Sequence, residues 1–304
     1  MPKRKRPTND SKTNTQNPQQ NEAKDKPILG GLKDPTLNSR VSGTGTEKEE
    51  PPDPDSAITH FTLPFNDKLI VCERHQPPNS SDDENPPSLI FTHGAGGGIA
   101  NPATRDFARG FGGVESVVCF QGTMNLVNRV KAFRAAVGGV GGKVLGGRSM
   151  GARAAVLTAL EMVDEGGDVP EALVLVSWPL TAGKDGKREP ERREEILKDL
   201  PSGIDVLFVL GDRDVQCEMG LFEEVRRGMK ARSWVLVVKG ADHGMSLREK
   251  GGVEGMRMRM GEVAAKWLEE RDDGRRACEL EWNGKRGEVE CSGWMSSSRA
   301  KSGS

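Results

Sequence analysis

A serine stands between glycines directly after an apolar run, in the segment GGRSMGARAA at residues 146–155. This is a G-x-S-x-G motif, in which a sharp strand-to-helix turn presents a serine hydroxyl as a nucleophile. Glycine fills 38 of the 304 positions, so this motif can arise by chance. The flanking sequence must therefore show whether Ser149 lies in such a turn. KVLGG before it and RAAVLTALEMV after it predict a strand, a turn and a helix. Ser149 is therefore a candidate nucleophile, with Gly147, Arg148 and Gly151 in a turn too tight for larger side chains at the two glycines.

His243 is the candidate general base. It follows the apolar run WVLVVKG in the segment VKGADHG, at the end of a predicted strand. The other histidines all precede the serine: His60, His75 and His93. His243 alone can therefore complete the chain order serine, acid, histidine that accompanies a G-x-S-x-G turn.

Two carboxylates follow the apolar run VLFVLG in the segment VLFVLGDRDVQC, and either could orient the imidazole and stabilise its cation. The acid usually lies a few residues past the glycine that ends the strand. That spacing favours Asp214, while a solvated turn aspartate describes Asp212 better. The choice between the two stays open at this point.

THGAGGG, residues 92–98, follows the run SLIF and is rich in small residues that let a substrate approach the backbone. An N–H from this loop together with that of Met150 would form an oxyanion hole. Ala95 is the first candidate for the loop donor and Gly96 the second. His93 is expected to brace the loop rather than to transfer protons.

Cofactor and metal chemistry find little support in the sequence. HGAGGGIAN lacks the third glycine of G-x-G-x-x-G, and GGVGGKV at 138–144 departs from the P-loop pattern, so nucleotide binding is the weaker interpretation. Five cysteines, an odd number without paired spacing, fit reduced thiols rather than a zinc site or a disulfide framework. Acyl transfer by serine, acid and histidine requires no metal and no organic cofactor.

The elements that must position these residues alternate between short apolar runs and amphipathic segments. The runs at 69–72, 88–93, 116–120, 143–147, 172–177, 206–211 and 234–240 predict strands. Helical stripes follow several of them, including one with Met256, Met260 and Trp267 that we assign to the core. Strand then helix, repeated, predicts an α/β fold with a mostly parallel, doubly wound sheet and helices on both faces.

Composition divides the chain into three parts. Residues 1–56 are polar and predicted to be disordered, 57–271 form one α/β domain, and 272–304 are predicted to be a second disordered tail. A net charge of −1 gives no reason to expect nucleic-acid binding. The chain has neither an 18-residue apolar run nor a signal-peptide core, so we expect no membrane association, no secretion, and a cytoplasmic or nuclear location. PKRKRP at 2–7 is either an import signal or a solvated terminus.

The segment where lids commonly insert, residues 178–204, is short and strongly charged. It predicts no large apolar lid domain, and an open cleft for a small or exposed acyl substrate. Its charge run is interpreted as a solvated helix face, against the alternative of a partner-binding role.

Six sequence blocks, taken in order, resemble the α/β-hydrolase-like domain family of testis-expressed protein 30 and the third subunit of the non-specific lethal histone acetyltransferase complex. The blocks are THGAGGG, LVNRVKAFRAAV, LGGRSMGARAA, SWPL, GDRDVQCE and ADHGMSL. The resemblance covers roughly residues 58–270. It implies an α/β-hydrolase fold of the dienelactone-hydrolase type, with Ser149, Asp214 and His243 at the matching positions.

Two functions follow from the residues and the resemblance together. The first is a serine hydrolase, esterase-like, acting on an ester, thioester or amide through an acyl-enzyme. The second is a catalytically silent interaction subunit of a nuclear or chromatin-associated complex, with protein partners bound through the tails.

Overall fold

A single sheet runs through the part of the chain that the structure describes. The computed structural model describes residues 57–78, 80, 85–181 and 193–296. Within them, ten strands pair in the order β1-β2-β4-β3-β5-β6-β7-β8-β9-β10. The strands are β1 (Ala57–Phe65), β2 (Lys68–Gln76), β3 (Leu89–Thr92), β4 (Val117–Phe120), β5 (Val144–Arg148), β6 (Ala172–Val176), β7 (Asp205–Gly211), β8 (Ser233–Val238), β9 (Ala277–Asn283) and β10 (Glu288–Cys291).

Helices cover both faces of the sheet. They are α1 (Pro102–Gly112), α2 (Leu126–Val140), α3 (Met150–Asp164), α4 (Glu195–Asp199), α5 (Met219–Arg227) and α6 (Val253–Glu269). Phe133 of α2, Ala155 of α3 and Phe222 of α5 share one apolar core. Phe107 of α1 and Trp267 of α6 belong to a second core. The sheet therefore separates two apolar layers, as in a doubly wound fold.

The central strands are parallel and buried on both faces. Every residue of β6 and of β7 is buried, which explains why their sequences, apart from Asp205 at the start of β7, are apolar rather than alternating. All pairings from β4 to β9 along the sheet are parallel. The carboxyl ends of β5, β7 and β8 therefore meet at one edge, where the loops carrying the candidate residues begin.

The seven apolar runs coincide with β2 to β8, so this part of the strand prediction is confirmed. β1 was not predicted; it forms an antiparallel hairpin with β2, and most of its side chains are at least partly exposed. Between β6 and β7, the described residues contain one short helix, α4, while 182–192 lie outside the described residues.

The predicted disorder of residues 272–304 is wrong for 272–296. Cys278 and Leu280 of β9 are buried in the same core as Met256 and Met260 of α6. β9 pairs in parallel with β8 and in antiparallel with β10, so the sheet extends about 20 residues beyond the predicted domain end at 271. Residues 297–304, like the predicted N-terminal segment 1–56, lie outside the described residues.

Candidate active site

Ser149 occupies a strained turn between β5 and α3. Its φ of 53° and ψ of −112° are uncommon for a residue with a side chain. The N–H of Ser149 donates to the carbonyl of Val176 at 2.9 Å, which ties the turn to β6. A Cβ at Gly147 would lie 2.3 Å from the carbonyl carbon of Gly151, and one at Gly151 would lie 2.4 Å from the carbonyl oxygen of Thr92. Close backbone approach therefore requires glycine at both positions.

A hydrogen-bonded chain links the serine, the histidine and an aspartate. Ser149 Oγ lies 2.9 Å from His243 Nε2, and His243 Nδ1 lies 2.8 Å from Asp214 Oδ2. A carboxylate accepts only, so Nδ1 carries the proton and Nε2 is free to accept from the serine hydroxyl. This is the tautomer that a general base beside a serine requires.

The structure brings Asp214, and not Asp212, to the histidine. The Asp214 side chain is fully buried, and its second oxygen accepts the backbone N–H of Gln216 at 2.8 Å. Asp212 is exposed and accepts the N–H of Gly240 at 2.6 Å, so it stabilises the turn after β8 instead. The two aspartates therefore have different roles, one at the histidine and one in a turn, although they are two residues apart.

Two guanidinium groups hold the loop that carries His243. Arg148 Nη2 donates to the carbonyl of His243 at 3.1 Å. Arg257 of α6 donates to the next two carbonyls, from Nη2 to Gly244 at 3.2 Å and from Nε to Met245 at 2.9 Å. Three consecutive carbonyls are therefore fixed by cations from two different elements, and the imidazole position depends on both.

The electrostatics of the site centre on Arg148. Burial lowers the pKa of its guanidinium and the nearby charge of Arg257 lowers it further, while Asp242 and Asp214 oppose the shift. Because an arginine starts from a very high pKa, it stays charged at neutral pH. A fixed positive charge therefore lies beside the turn that presents Ser149.

The loop after β3 contacts the serine turn through Gly94. A Cβ at Gly94 would lie 3.6 Å from the Cβ of Ser149 and 2.8 Å from Arg148 Nη1. Ala95 and Gly96, the two candidate loop donors, follow this contact on the exposed part of the loop. Met150 is the first residue of α3, where an N–H has no partner within the helix.

His93 and Arg129 hold this loop in place through hydrogen bonds to its backbone. His93 Nδ1 donates to the carbonyl of Gly94 at 2.7 Å, and Nε2 accepts the N–H of Gly122 at 3.0 Å. Burial and the charge of Arg129 lower the pKa of His93, which favours the neutral ring, and the carbonyl of Gly94 places the remaining proton on Nδ1. Arg129 is fully buried and donates to the carbonyls of His93, Gly94 (3.0 Å) and Thr123 (2.7 Å).

Arg129 and Arg257 were not singled out from the sequence. A signal existed for Arg129, because it lies three residues after Leu126 and four before Phe133, on the apolar stripe of α2. A cation on a buried stripe must find internal partners, which makes it a candidate for a structural or functional role. Arg257 lies between two methionines in the run MRMRM of α6, and its sequence context offers no comparable signal.

A family model described as "Alpha/beta hydrolase domain" matches residues 123–269, a range that includes Ser149, Asp214 and His243. The chain has an α/β-hydrolase fold.

Solved structures support this assignment. Est1E from Butyrivibrio proteoclasticus superposes with a TM-score of 0.54 at 14% sequence identity, covering 69% of this chain and 99% of that one. A dienelactone hydrolase from Anabaena variabilis gives 0.53 at 14%, covering 71% and 98%. A thermostable esterase from Pseudomonas putida gives 0.52 at 15%, covering 70% and 84%. At these identities the likeness establishes the fold alone.

The described residues offer neither a membrane span nor a clustered metal site. None of their helices combines the length and apolar character needed to span a membrane. They also contain no group of three or more histidine, cysteine, aspartate or glutamate side chains arranged to hold a metal ion. The import-signal prediction for PKRKRP falls on residues outside the described part of the chain.

Proposed function

We propose that the chain is a serine hydrolase that cleaves an ester, thioester or amide of a small or exposed acyl substrate. The observation that carries this proposal is the hydrogen-bonded chain from Ser149 Oγ through His243 to Asp214. The esterases and the dienelactone hydrolase among the structural neighbours support the reaction class by analogy of fold.

In the proposed mechanism, Ser149 Oγ attacks the carbonyl carbon while His243 Nε2 takes the hydroxyl proton. Asp214 stabilises the imidazolium that forms, and the imidazolium then protonates the leaving group. The N–H of Met150 and that of Ala95 or Gly96 are proposed to stabilise the oxyanion. Water, activated by the same histidine, releases the acyl group from Ser149.

The geometry around the serine favours an open site. The loop residues Ala95 and Gly96 are exposed, and α4 is a single short helix in the described part of the β6–β7 connection. These features support a substrate whose acyl group is small or is presented at a surface. We also propose that the chain is related to the testis-expressed protein 30 family. In addition, we propose that its terminal segments bind protein partners.

Labelling with a fluorophosphonate probe at neutral pH tests the proposal, because the probe reacts readily with a serine that a neighbouring base activates. We expect the wild type to label and both Ser149→Ala and His243→Ala to lose labelling, by about 10⁴-fold or more in rate. His60→Ala, at a histidine 70% exposed on β1, is the matched control and should label normally.

Absence of labelling in a folded wild type, with a known serine hydrolase labelling in parallel, would reject the proposal. The interaction-subunit hypothesis would then take its place.

A further inference from the structure

Two thiols meet across the C-terminal hairpin. Cys278 lies in β9 and Cys291 in β10, and their Sγ atoms are 3.6 Å apart. Cys291 pairs in register with Leu280, so Cys278 lies two residues along β9 on the same face. We propose that Cys278 and Cys291 form a reversible oxidation site that closes to a disulfide on reaction with a low-molecular-weight disulfide. This site is independent of the proposed hydrolase activity.

The hairpin allows the bond to close. A disulfide needs an S–S separation of about 2.05 Å, so the two sulfurs must approach by about 1.5 Å. In the described sheet β10 lies at the edge and pairs with β9 alone. Because β10 has ladder hydrogen bonds along one side only, we infer that a small shift of this strand, together with a change in side-chain rotamers, closes the gap.

The surroundings favour Cys291 as the attacking thiolate. A hydrogen bond from the Cys278 thiol lowers the pKa of Cys291 below that of an ordinary thiol, with further lowering by the N–H of Gly293 and the guanidinium of Arg259, against the raising effect of burial. Arg259 projects from α6 and also pairs with Glu262. Cys291 is partly exposed and Cys278 is 1% exposed, so a dissolved disulfide reaches Cys291 first.

The chemistry proceeds in two exchange steps. The Cys291 thiolate attacks one sulfur of the oxidant, forming a mixed disulfide and expelling one thiolate. Cys278 then loses its proton to solvent and attacks the Cys291 sulfur, expelling the second thiolate. The protein gives up two electrons and two protons, and the oxidant becomes two thiols. The first step also removes the hydrogen bond to the Cys291 thiolate and its negative charge, which together with burial raise the pKa of Cys278.

The other three cysteines differ from this pair. Burial raises the pKa of Cys72 to about 12 and raises those of Cys119 and Cys217 as well. All three are buried. Buried thiols with raised pKa values react slowly, so they form an internal background against which the hairpin pair can be measured.

The test treats the folded full chain with oxidised glutathione, then alkylates free thiols in denaturant and maps the peptides by mass spectrometry. We expect an intact mass lower by two hydrogen atoms, loss of two alkylation sites, and a cross-link between the Cys278 and Cys291 peptides that reducing agent reverses. Cys278→Ser should keep one glutathionyl group on Cys291, and Cys291→Ser should remain unmodified.

The pH dependence supplies a second readout. Since the thiolate is the reactive form, alkylation of Cys291 in the reduced native protein should reach half of its maximal rate at a lower pH than alkylation of an ordinary cysteine thiol does. Arg259→Gln should move that midpoint to higher pH. A lasting glutathione adduct in the wild type, a cross-link between chains, or no reaction at all would overturn the proposal.

Discussion

The loops at the carboxyl ends of β5, β7 and β8 and the β9–β10 hairpin bring reactive side chains together in different ways. His243 lies 94 residues from Ser149 and 29 from Asp214, whereas Cys278 and Cys291 are 13 residues apart. The first arrangement requires the correct order of the central strands. The second requires only one hairpin and its contact with α6.

Because the two regions are positioned by different contacts, a substitution in one should leave the other intact. The serine site depends on loops whose positions are fixed by a few hydrogen bonds, such as those of Arg148 and Arg257 to the histidine loop. The hairpin depends on burial of one face against α6. Loss of a loop contact should therefore reduce reactivity at nearly constant stability, and loss of hairpin burial should reduce stability.

The largest expected effect separates the two aspartates after β7. Asp214→Asn should slow fluorophosphonate labelling by about 10⁴-fold, because an amide at this position no longer fixes the proton on His243 Nδ1. Asp212→Asn is the matched control and should remain within a few-fold of wild type, since its oxygen accepts only from Gly240. Equal losses in the two variants would contradict the assignment of Asp214.

The next effect concerns the stability of the hairpin. Leu280→Ala should lower the free energy of unfolding by about 2–4 kcal/mol, because Leu280 is fully buried against α6 and truncation leaves a cavity. Glu281→Ala, one residue on and exposed, should change it by less than about 0.5 kcal/mol. Urea unfolding measures both. Identical small changes would mean that β9 is not packed in solution.

The smallest effect compares two arginines on one helix. Arg257→Gln should slow probe labelling by about 10- to 100-fold through displacement of the histidine loop, with partial recovery in Arg257→Lys. Arg259→Gln should label like wild type, because the Arg259 guanidinium interacts with Cys291 and not with the serine site. A comparable loss of labelling in both variants would show a general disturbance of α6 rather than positioning of His243.

Most of the fold was predictable because both-face-buried strands leave continuous apolar runs, as in β6 and β7. The hairpin was missed although its signal is present. In ACELEWN, Cys278, Leu280 and Trp282 alternate with polar residues, which is the period of a half-buried strand. The alternation was hidden among charged residues and isolated tryptophans, a composition that resembles disorder.

The candidate site, like the fold, was predictable only in part. Ser149 and His243 were identified by their motif and by their order in the chain, and the turn glycines by the close approach that such a turn needs. The choice between Asp212 and Asp214 rested on spacing, and Arg129 and Arg257 were not found. Their roles depend on which carbonyl each guanidinium reaches across the fold.

Periodicity and turn chemistry are local properties, so the residues alone specify the alternation of strands and helices, the two buried faces and the chain order of serine, acid and histidine. The packing of strands and helices sets which carboxylate meets His243, which arginines hold the loops, and that two cysteines meet on an edge hairpin. Those outcomes depend on distances between residues remote in sequence, which strand order and helix packing set and local patterns do not encode.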